Sequence, residues 1–362
     1  MLPVNGGPAQ ALAGDGWFAI DGVRRLGPGG DLLVVGKRDK PTYAQIYLVP
    51  IHGGPIRAIT HDFSDYLAVR PTADGKELLA VQRVLLNTLQ TIAPDSDSEP
   101  TPLSVGGLTR DGEEGLAIAP NGNIVYTSYS DRRVSLAVLD KNGNSHAIRE
   151  SEEFIGPSIS PDGNLIVAAQ WLANGHANLF LIDTKSGRET RLSDGQQDYS
   201  PSFTADGQWV VYASILDDRP VLMKIPVKGG TPVPLTDYSA DFPVVSPDGR
   251  WIACFSLPKP EDRPMLAIVP VSGGAPVKTL EIPSTLSSPV LAWTPDSKSV
   301  AFIDDRNQTS NIWKQSMDGD KPIQMTHLKS GKIFYFQWSR RKDLVLSRGS
   351  EATDAILIKQ FR

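Results

Sequence analysis

The chain has one cysteine, Cys254, so it has no internal disulfide to staple it. It has no apolar run of about 18 residues, so no segment reads as a transmembrane helix. It has no G-x-S-x-G elbow, H-E-x-x-H, paired C-x-x-C, Walker loop or kinase motif set. Those absences argue against a self-contained hydrolase, zinc enzyme, NTPase or kinase, and we expect no catalytic residues, no metal and no cofactor. A basic stripe is missing too: the net charge is −5, and the densest basic clusters are Arg132-Arg133 and Arg340-Arg341-Lys342. Nucleic acid is therefore not an expected partner. Helical periodicity is almost absent. The five histidines, His52, His61, His146, His176 and His327, fall in different parts of the chain without ligand spacing.

What the chain does have is turns. Its 32 Gly and 29 Pro punctuate short apolar runs. In "DFPVVSPDGRWIACFS" (241–256), Pro247 presets φ, Asp248 can bond its own backbone, and Gly249 accepts the left-handed conformation. Apolar strands flank the turn, which makes a β-hairpin. The same hairpin turn recurs as GPGGD (27–31), TADGK (72–76), APNGN (119–123), SPDGN (160–164), TADGQ (204–208), SPDGR (246–250), TPDSK (294–298) and SRRKD (339–343). The second residues of these turns are spaced by 45, 47, 41, 44, 42, 48 and 45 positions. A period of about 40–45 residues with four short strands marks a propeller blade.

A second, Gly-centred turn recurs inside each period, as in VPIHGGPIRAIT (49–60), IPVKGGTPVPLT (225–236) and VPVSGGAPVKTL (269–280). It joins the third strand of a blade to the fourth. With strands lettered a to d, Phe154–Ser193 reads as one complete blade. The opening "LPVNGGPAQALAGD" (2–15) aligns with a c–d corner, and the closing "DAILIKQFR" reads as a c strand without its d strand. The expected fold is all-β: an eight-bladed β-propeller of four-stranded antiparallel blades, closed by an N-terminal strand at residues 8–13 paired near 354–360. Seven blades with an irregular insertion is the alternative. The second blade is the least regular, because APDSDSEPTP (93–102) replaces its c–d corner. Glu99–Pro100 and Leu257–Pro264 are too short to be domain boundaries, so residues 1–362 read as a single domain, expected to be monomeric.

Before strand a stand repeated acidic-aromatic pairs: Asp65-Tyr66, Glu153-Phe154, Asp198-Tyr199 and Asp241-Phe242. In a propeller the a strands line the central channel. The pairs would then ring one channel mouth and hold a cation or a basic peptide segment. The alternative is that the aromatics wedge between blades while the acids cap backbone groups. On the same face lie the variable b–c loops, with Trp171, His176, Arg219, Arg263 and Arg306 as candidate binding residues. Variable loops on a rigid frame commonly carry recognition.

The segments PSISPDGNLIV (157–167), PSFTADGQWVVYAS (201–214), PVVSPDGRWIACFS (243–256) and NLFLIDTKSGRETRLS (178–193) resemble the TolB-type, WD-repeat-like propeller repeat of bacteria. The tail LVLSRGSEATDAILIKQFR (344–362) resembles the end of propellers appended to bacterial serine/threonine kinases and winged-helix transcriptional regulators. The resemblance implies a non-enzymatic sensory or interaction module in signal transduction. Such a module would take a protein or peptide partner, or a small ligand at the channel mouth. A propeller part of a peptidase-like enzyme, or a propeller lyase with a channel site, is the enzymatic alternative. The location would be cytoplasmic if the chain is complete, and extracytoplasmic if it is the C-terminal part of a membrane-anchored signalling protein.

Overall fold

The structure is a computed structural model, and it describes residues 16–27, 30–38, 43–96, 98–104, 109–130, 133–150, 154–172, 175–257, 263–283, 285–306, 309–319 and 321–361. The elements it describes are strands throughout. β1 (Trp17–Arg25), β2 (Leu32–Arg38), β3 (Gln45–Val49) and β4 (Arg57–Ala58) form an antiparallel sheet in chain order. β5 (Asp65–Pro71) pairs with the first half of β6 (Glu77–Ile92), and β7 (Thr101–Pro102) with its second half. β8 (Arg110–Ile118), β9 (Ile124–Ser130), β10 (Arg133–Leu139) and β11 (Ser145–Glu150) follow as neighbours.

Four four-stranded antiparallel sheets come next, each in chain order. The first holds β12 (Phe154–Ile159), β13 (Leu165–Trp171), β14 (Ala177–Asp183) and β15 (Glu189–Arg191). The second holds β16 (Asp198–Phe203), β17 (Trp209–Leu216), β18 (Arg219–Pro226) and β19 (Val233–Pro234). The third holds β20 (Ser239–Val245), β21 (Trp251–Leu257), β22 (Met265–Pro270) and β23 (Lys278–Glu281). The fourth holds β24 (Leu286–Trp293), β25 (Ser299–Arg306), β26 (Thr309–Ser316) and β27 (Ile323–Gln324). β28 (Lys332–Trp338) and β29 (Leu344–Lys359) end the chain, with β29 lying between β28 and β6.

The chain divides into two compact units. The first takes residues 1–86, 131–133 and 351–362, and the second takes 87–130 and 134–350. The first unit contains the β1–β4 sheet and the strands β5, β6 to Leu86, and β29 from Glu351. Leu33, Val35, Ile46, Tyr66, Leu78 and Phe361 share its core.

In the second unit the inner strands β8, β12, β16, β20, β24 and β28 each neighbour the next, and β28 neighbours β8. This cycle of six is a closed ring of blades among the described residues. Its last blade is composite: β28 and β29 come from the C-terminal end of the sequence, and the second half of β6 with β7 from much earlier. The sequence expectation was eight blades, or seven, in one ring. The count differs because β6 and β29 do not turn where a b–c loop was expected. Each runs on for 16 residues and serves both units. In β6, ELLAVQRVLLNTLQTI contains no Gly, Pro or Asp to interrupt the ladder. The expected c strand near 354–360 is thus the continuation of β29. Its expected partner, residues 8–13, lies outside the described residues.

Local chemistry explains why the blades repeat. In five hairpin turns the first residue's hydroxyl donates to the aspartate two positions on at 2.6 Å: Thr72 to Asp74, Ser160 to Asp162, Thr204 to Asp206, Ser246 to Asp248 and Thr294 to Asp296. These bonds hold the carboxyls below their ordinary range at Asp74, Asp162, Asp206 and Asp296, with Asp162 at about 2. A second repeat closes the outer strands. Thr60, Ser104, Ser193, Thr236 and Thr326 each accept, through the side-chain hydroxyl, the backbone N–H of a c-strand residue: Ile46, Leu89, Leu179, Leu222 and Ile312. An [Ile/Leu/Met]-[Ser/Thr] step after a d strand of two or three residues therefore substitutes for a longer ladder.

Gly249 has φ +71°, and a Cβ there would stand 2.9 Å from the Cβ of Ala205. Gly249→Val is expected to cost about 1–3 kcal/mol, combining left-handed strain with the clash. Urea denaturation checks this, and a cost near zero would mean the turn relaxes without loss.

Candidate functional site

Each inner strand of the ring carries a bulge. The pairing register slips between Asp111 and Leu116, Ile155 and Ser158, Tyr199 and Ser202, Asp241 and Val244, Leu286 and Leu291, and Ile333 and Tyr335. A bulge bends a strand and re-aims its side chains. In three of these a left-handed residue directly precedes a proline: Gly156 (φ +58°), Ser200 (φ +52°) and Phe242 (φ +51°). The proline has no N–H to lose from the ladder. For an aromatic residue such as Phe242 the left-handed backbone costs about 1–3 kcal/mol, and such strain tends to collect at functional sites. Close packing fixes the bulges. At Gly115 (φ +136°) a Cβ would lie 2.6 Å from Pro157 Cδ.

The bulges surround a channel cavity of about 440 Å³, lined by all six inner strands and including Glu113, Tyr199, Ser202, Phe242, Tyr335 and Trp338. Glu113 is ion-paired with Arg110, whose guanidinium also lies 4.7 Å from the Tyr129 ring centroid. The Trp338 indole N–H is buried without a hydrogen-bond partner among the described residues.

The acidic-aromatic pairs divide. Tyr199 donates its hydroxyl to Asp241 Oδ2 at 2.9 Å, and its ring meets Phe242 edge-on at 6.0 Å. Phe242 in turn meets Phe255 at 6.3 Å. Burial pushes the Asp241 carboxyl up, against the lowering effect of the Tyr199 and Phe242 hydrogen bonds. Burial, then the Asp241 charge, pushes the Tyr199 phenol up as well. Asp198 has a capping role instead: it is buried and accepts the Gly195 N–H at 3.0 Å. Asp65 and Tyr66 belong to the first unit. There Asp65 accepts the Ala44 N–H at 2.9 Å and pairs with Arg83 at 3.2 Å, while Tyr66 donates to Asp62 at 2.7 Å. Phe154 is a buried wedge against Phe180, and Glu153 lies outside the described residues. The capping and wedging alternative thus describes Asp65, Asp198 and Phe154, while Tyr199, Asp241 and Phe242 form one contiguous group.

The loop candidates also differ in their surroundings. Trp171 is half-buried at the end of β13, and the carbonyl of His176 accepts the Leu172 N–H at 2.8 Å, closing a tight loop. Arg219 donates to the Asp237 carbonyl at 2.8 Å. Arg306 is paired with Asp304 at 2.9 Å and stacks 4.0 Å from the Trp313 ring centroid. Arg263 is exposed at the rim of a lateral cleft of about 760 Å³. Asp241 and Phe242 line the same cleft, with Phe255, Leu257, Ile282 and Leu286. Phe242, Ser288 and Pro289 line both the cleft and the channel.

The structure therefore gathers Asp241, Phe242 and Arg263, and adds apolar residues that sequence reasoning passed over. Their only signal was the proline-spaced runs LPKPEDRP (257–264) and EIPSTLSSP (281–289). Among the described residues no group of three His, Cys, Asp or Glu could hold a metal ion, and no helix is long and apolar enough to cross a membrane.

No protein-family model matches the chain. Among solved structures it is similar to TolB of Acinetobacter baumannii, with 16% identity over 91% of this chain and 81% of that one and a TM-score of 0.54. A protein of Agrobacterium tumefaciens assigned as TolB gives 17% identity over 83% of this chain and 95% of that one, with a TM-score of 0.47. An oligogalacturonate lyase of Vibrio parahaemolyticus gives 14% identity over 81% and 92%, with a TM-score of 0.48. The first likeness establishes a TolB-like fold and carries no function with it. The other two are too distant to add to it.

Proposed function

We infer that this chain is a binding propeller, the sensory or interaction module of a bacterial signalling protein. It receives a protein or peptide partner, or a small ligand, at the channel mouth where the b–c and d–a connections lie. The observation that carries this reading is the continuity of channel and cleft through Phe242, Ser288 and Pro289. Strained, aromatic and proline-rich backbone is concentrated there. Such a wall is rigid and apolar, with few charged groups to orient a ligand, as binding sites generally are. On the opposite face the SPDG-type turns hold their aspartates in hydrogen bonds to their own first residues. A channel enzyme would bring a histidine and an acid together at the cavity. The described lining residues include Glu113 and Glu114 but no histidine, so no observation favours the lyase or peptidase alternative.

The test compares two double variants in capture of partners from native lysate. Arg219→Ala with Arg263→Ala alters the loop face, and Lys185→Ala with Lys228→Ala alters the turn face. Arginine contacts often dominate interface energy. The loop-face variant is therefore expected to lose at least about tenfold in capture, a loss of about 1.4 kcal/mol, with an unchanged melt. Loss confined to the turn-face variant would put binding on the other side of the ring.

A further inference from the structure

The lateral cleft carries an inference that rests on the binding role above and names a ligand class for it. Its volume of about 760 Å³ lies within the span of small-molecule sites. Its walls come from neighbouring sheets: Pro220 from β18, Phe255 and Leu257 from β21, and Leu286 from β24. Among the described residues two charged side chains reach it, and they are not equivalent. Asp241 is already engaged, accepting the Tyr199 hydroxyl at 2.9 Å and its neighbour Phe242's N–H at 2.7 Å. Arg263 has no ion pair or hydrogen bond among the described residues. A guanidinium presents a planar fork of donors that matches a carboxylate.

We propose that this cleft binds an apolar monocarboxylate, with the headgroup on Arg263 and the hydrocarbon body against Phe255, Leu257 and Leu286. Charge selects the sign. A cationic ligand would meet the unpaired Arg263 with like charge, and Asp241, which already accepts two hydrogen bonds, is the less available of the two charged groups. A neutral ligand of the same shape would leave the guanidinium unmatched. The apolar body then lies against Phe255, which is in ring contact with Phe242, the residue shared with the channel. Occupancy of the cleft is thereby adjacent to the channel wall, which suits a sensing module.

The experiment is isothermal titration calorimetry on the full chain with octanoate, octanol and octylamine as probes. Octanoate is expected to saturate one site and to bind at least about tenfold more tightly than octanol or octylamine, a preference of about 1.4 kcal/mol. Arg263→Gln is expected to erase that preference without moving the melting temperature, because the side chain is exposed and unpartnered among the described residues. Leu257→Asp is expected to weaken octanoate and octanol alike. An Arg263→Gln chain that keeps the octanoate preference overturns the assignment. So does a wild-type chain that favours octylamine, or one that shows no saturable octanoate binding. Partner capture is scored separately, without octanoate, on the wild-type chain and the two double variants that alter the loop face and the turn face. Failure of octanoate with loop-face-dependent capture intact removes the ligand class alone. Octanoate binding with turn-face-dependent capture keeps the ligand site and removes the interaction role.

Discussion

Leu89→Ala is expected to cost about 2–5 kcal/mol, whereas Leu79→Ala, in the same strand, is expected to stay within about 0.5 kcal/mol. The two leucines are ten residues apart in β6 and serve different units. Leu89 is fully buried in the core of the second unit with Leu116, Ile124, Tyr126 and Val345. Its N–H donates to Ser104 Oγ and its carbonyl accepts the Leu103 N–H, so the backbone is held and the site cannot collapse freely. Leu79 is 50% exposed. Urea denaturation of both variants decides the matter. Equal costs would show that β6 does not deliver its second half to the ring core.

Trp293→Ala is expected to cost about 3–5 kcal/mol, as large aromatic truncations in a core do. Trp293 is the last residue of β24 and is 3% exposed. It fills the space between two successive blades, in a cluster with Phe255, Leu266 and Ile268 of one and Val300 and Phe302 of the next. Its indole N–H donates to the Val244 carbonyl at 2.9 Å, tying the third sheet of the series to the fourth. Trp293→Phe separates the two contributions. It keeps a ring in place but leaves a carbonyl without its donor, which costs about 1–3 kcal/mol. If Trp293→Phe and Trp293→Ala cost the same, the hydrogen bond rather than the packing holds the blades in register.

The hairpins were legible in the sequence because turn chemistry is local. Ser246, Asp248 and Gly249 need only one another to make their turn, and the same holds at 72–76, 160–164 and 204–208. Even Ser297, at φ +58° where five of the turns above have a left-handed glycine and SRRKD has Lys342 (φ +68°), keeps the motif through Thr294 and Asp296. The blade count was not legible, because it depends on which strands pair across long separations. In β29, Gly349 and Asp354 permit either a turn or a continued strand, and tertiary pairing decides. At the site, Asp241 and Phe242 stood out through repetition, yet repetition could not separate them from Asp198, which also precedes an aromatic residue, Tyr199, and caps Gly195 instead. The cleft walls Ile282 and Leu286 carry only the proline spacing of EIPSTLSSP, which names no role. They acquire a role only when β24 is laid beside β20.

The central structural claim is that strands from distant parts of the chain complete one blade and so close the ring that frames the channel. Asn87 of β6 donates its side-chain amide to Ser347 Oγ of β29 at 2.6 Å across 260 residues of sequence. Asn87→Cys with Ser347→Cys tests that adjacency directly. The native Cys254 is buried in the folded chain, where burial, then the Asp241 charge, pushes its thiol up to about 12, and it is the one thiol left over when 87 and 347 are joined. Refolding of the double variant in a glutathione redox buffer, followed by mass mapping of non-reduced peptides, should find residues 87 and 347 linked in the refolded chain and not in chain oxidised in urea, because both positions are buried once the chain has folded. If the refolded chain has native circular dichroism but both new thiols are alkylated once it is unfolded in urea, β6 and β29 are not neighbours, and the six-bladed ring is contradicted.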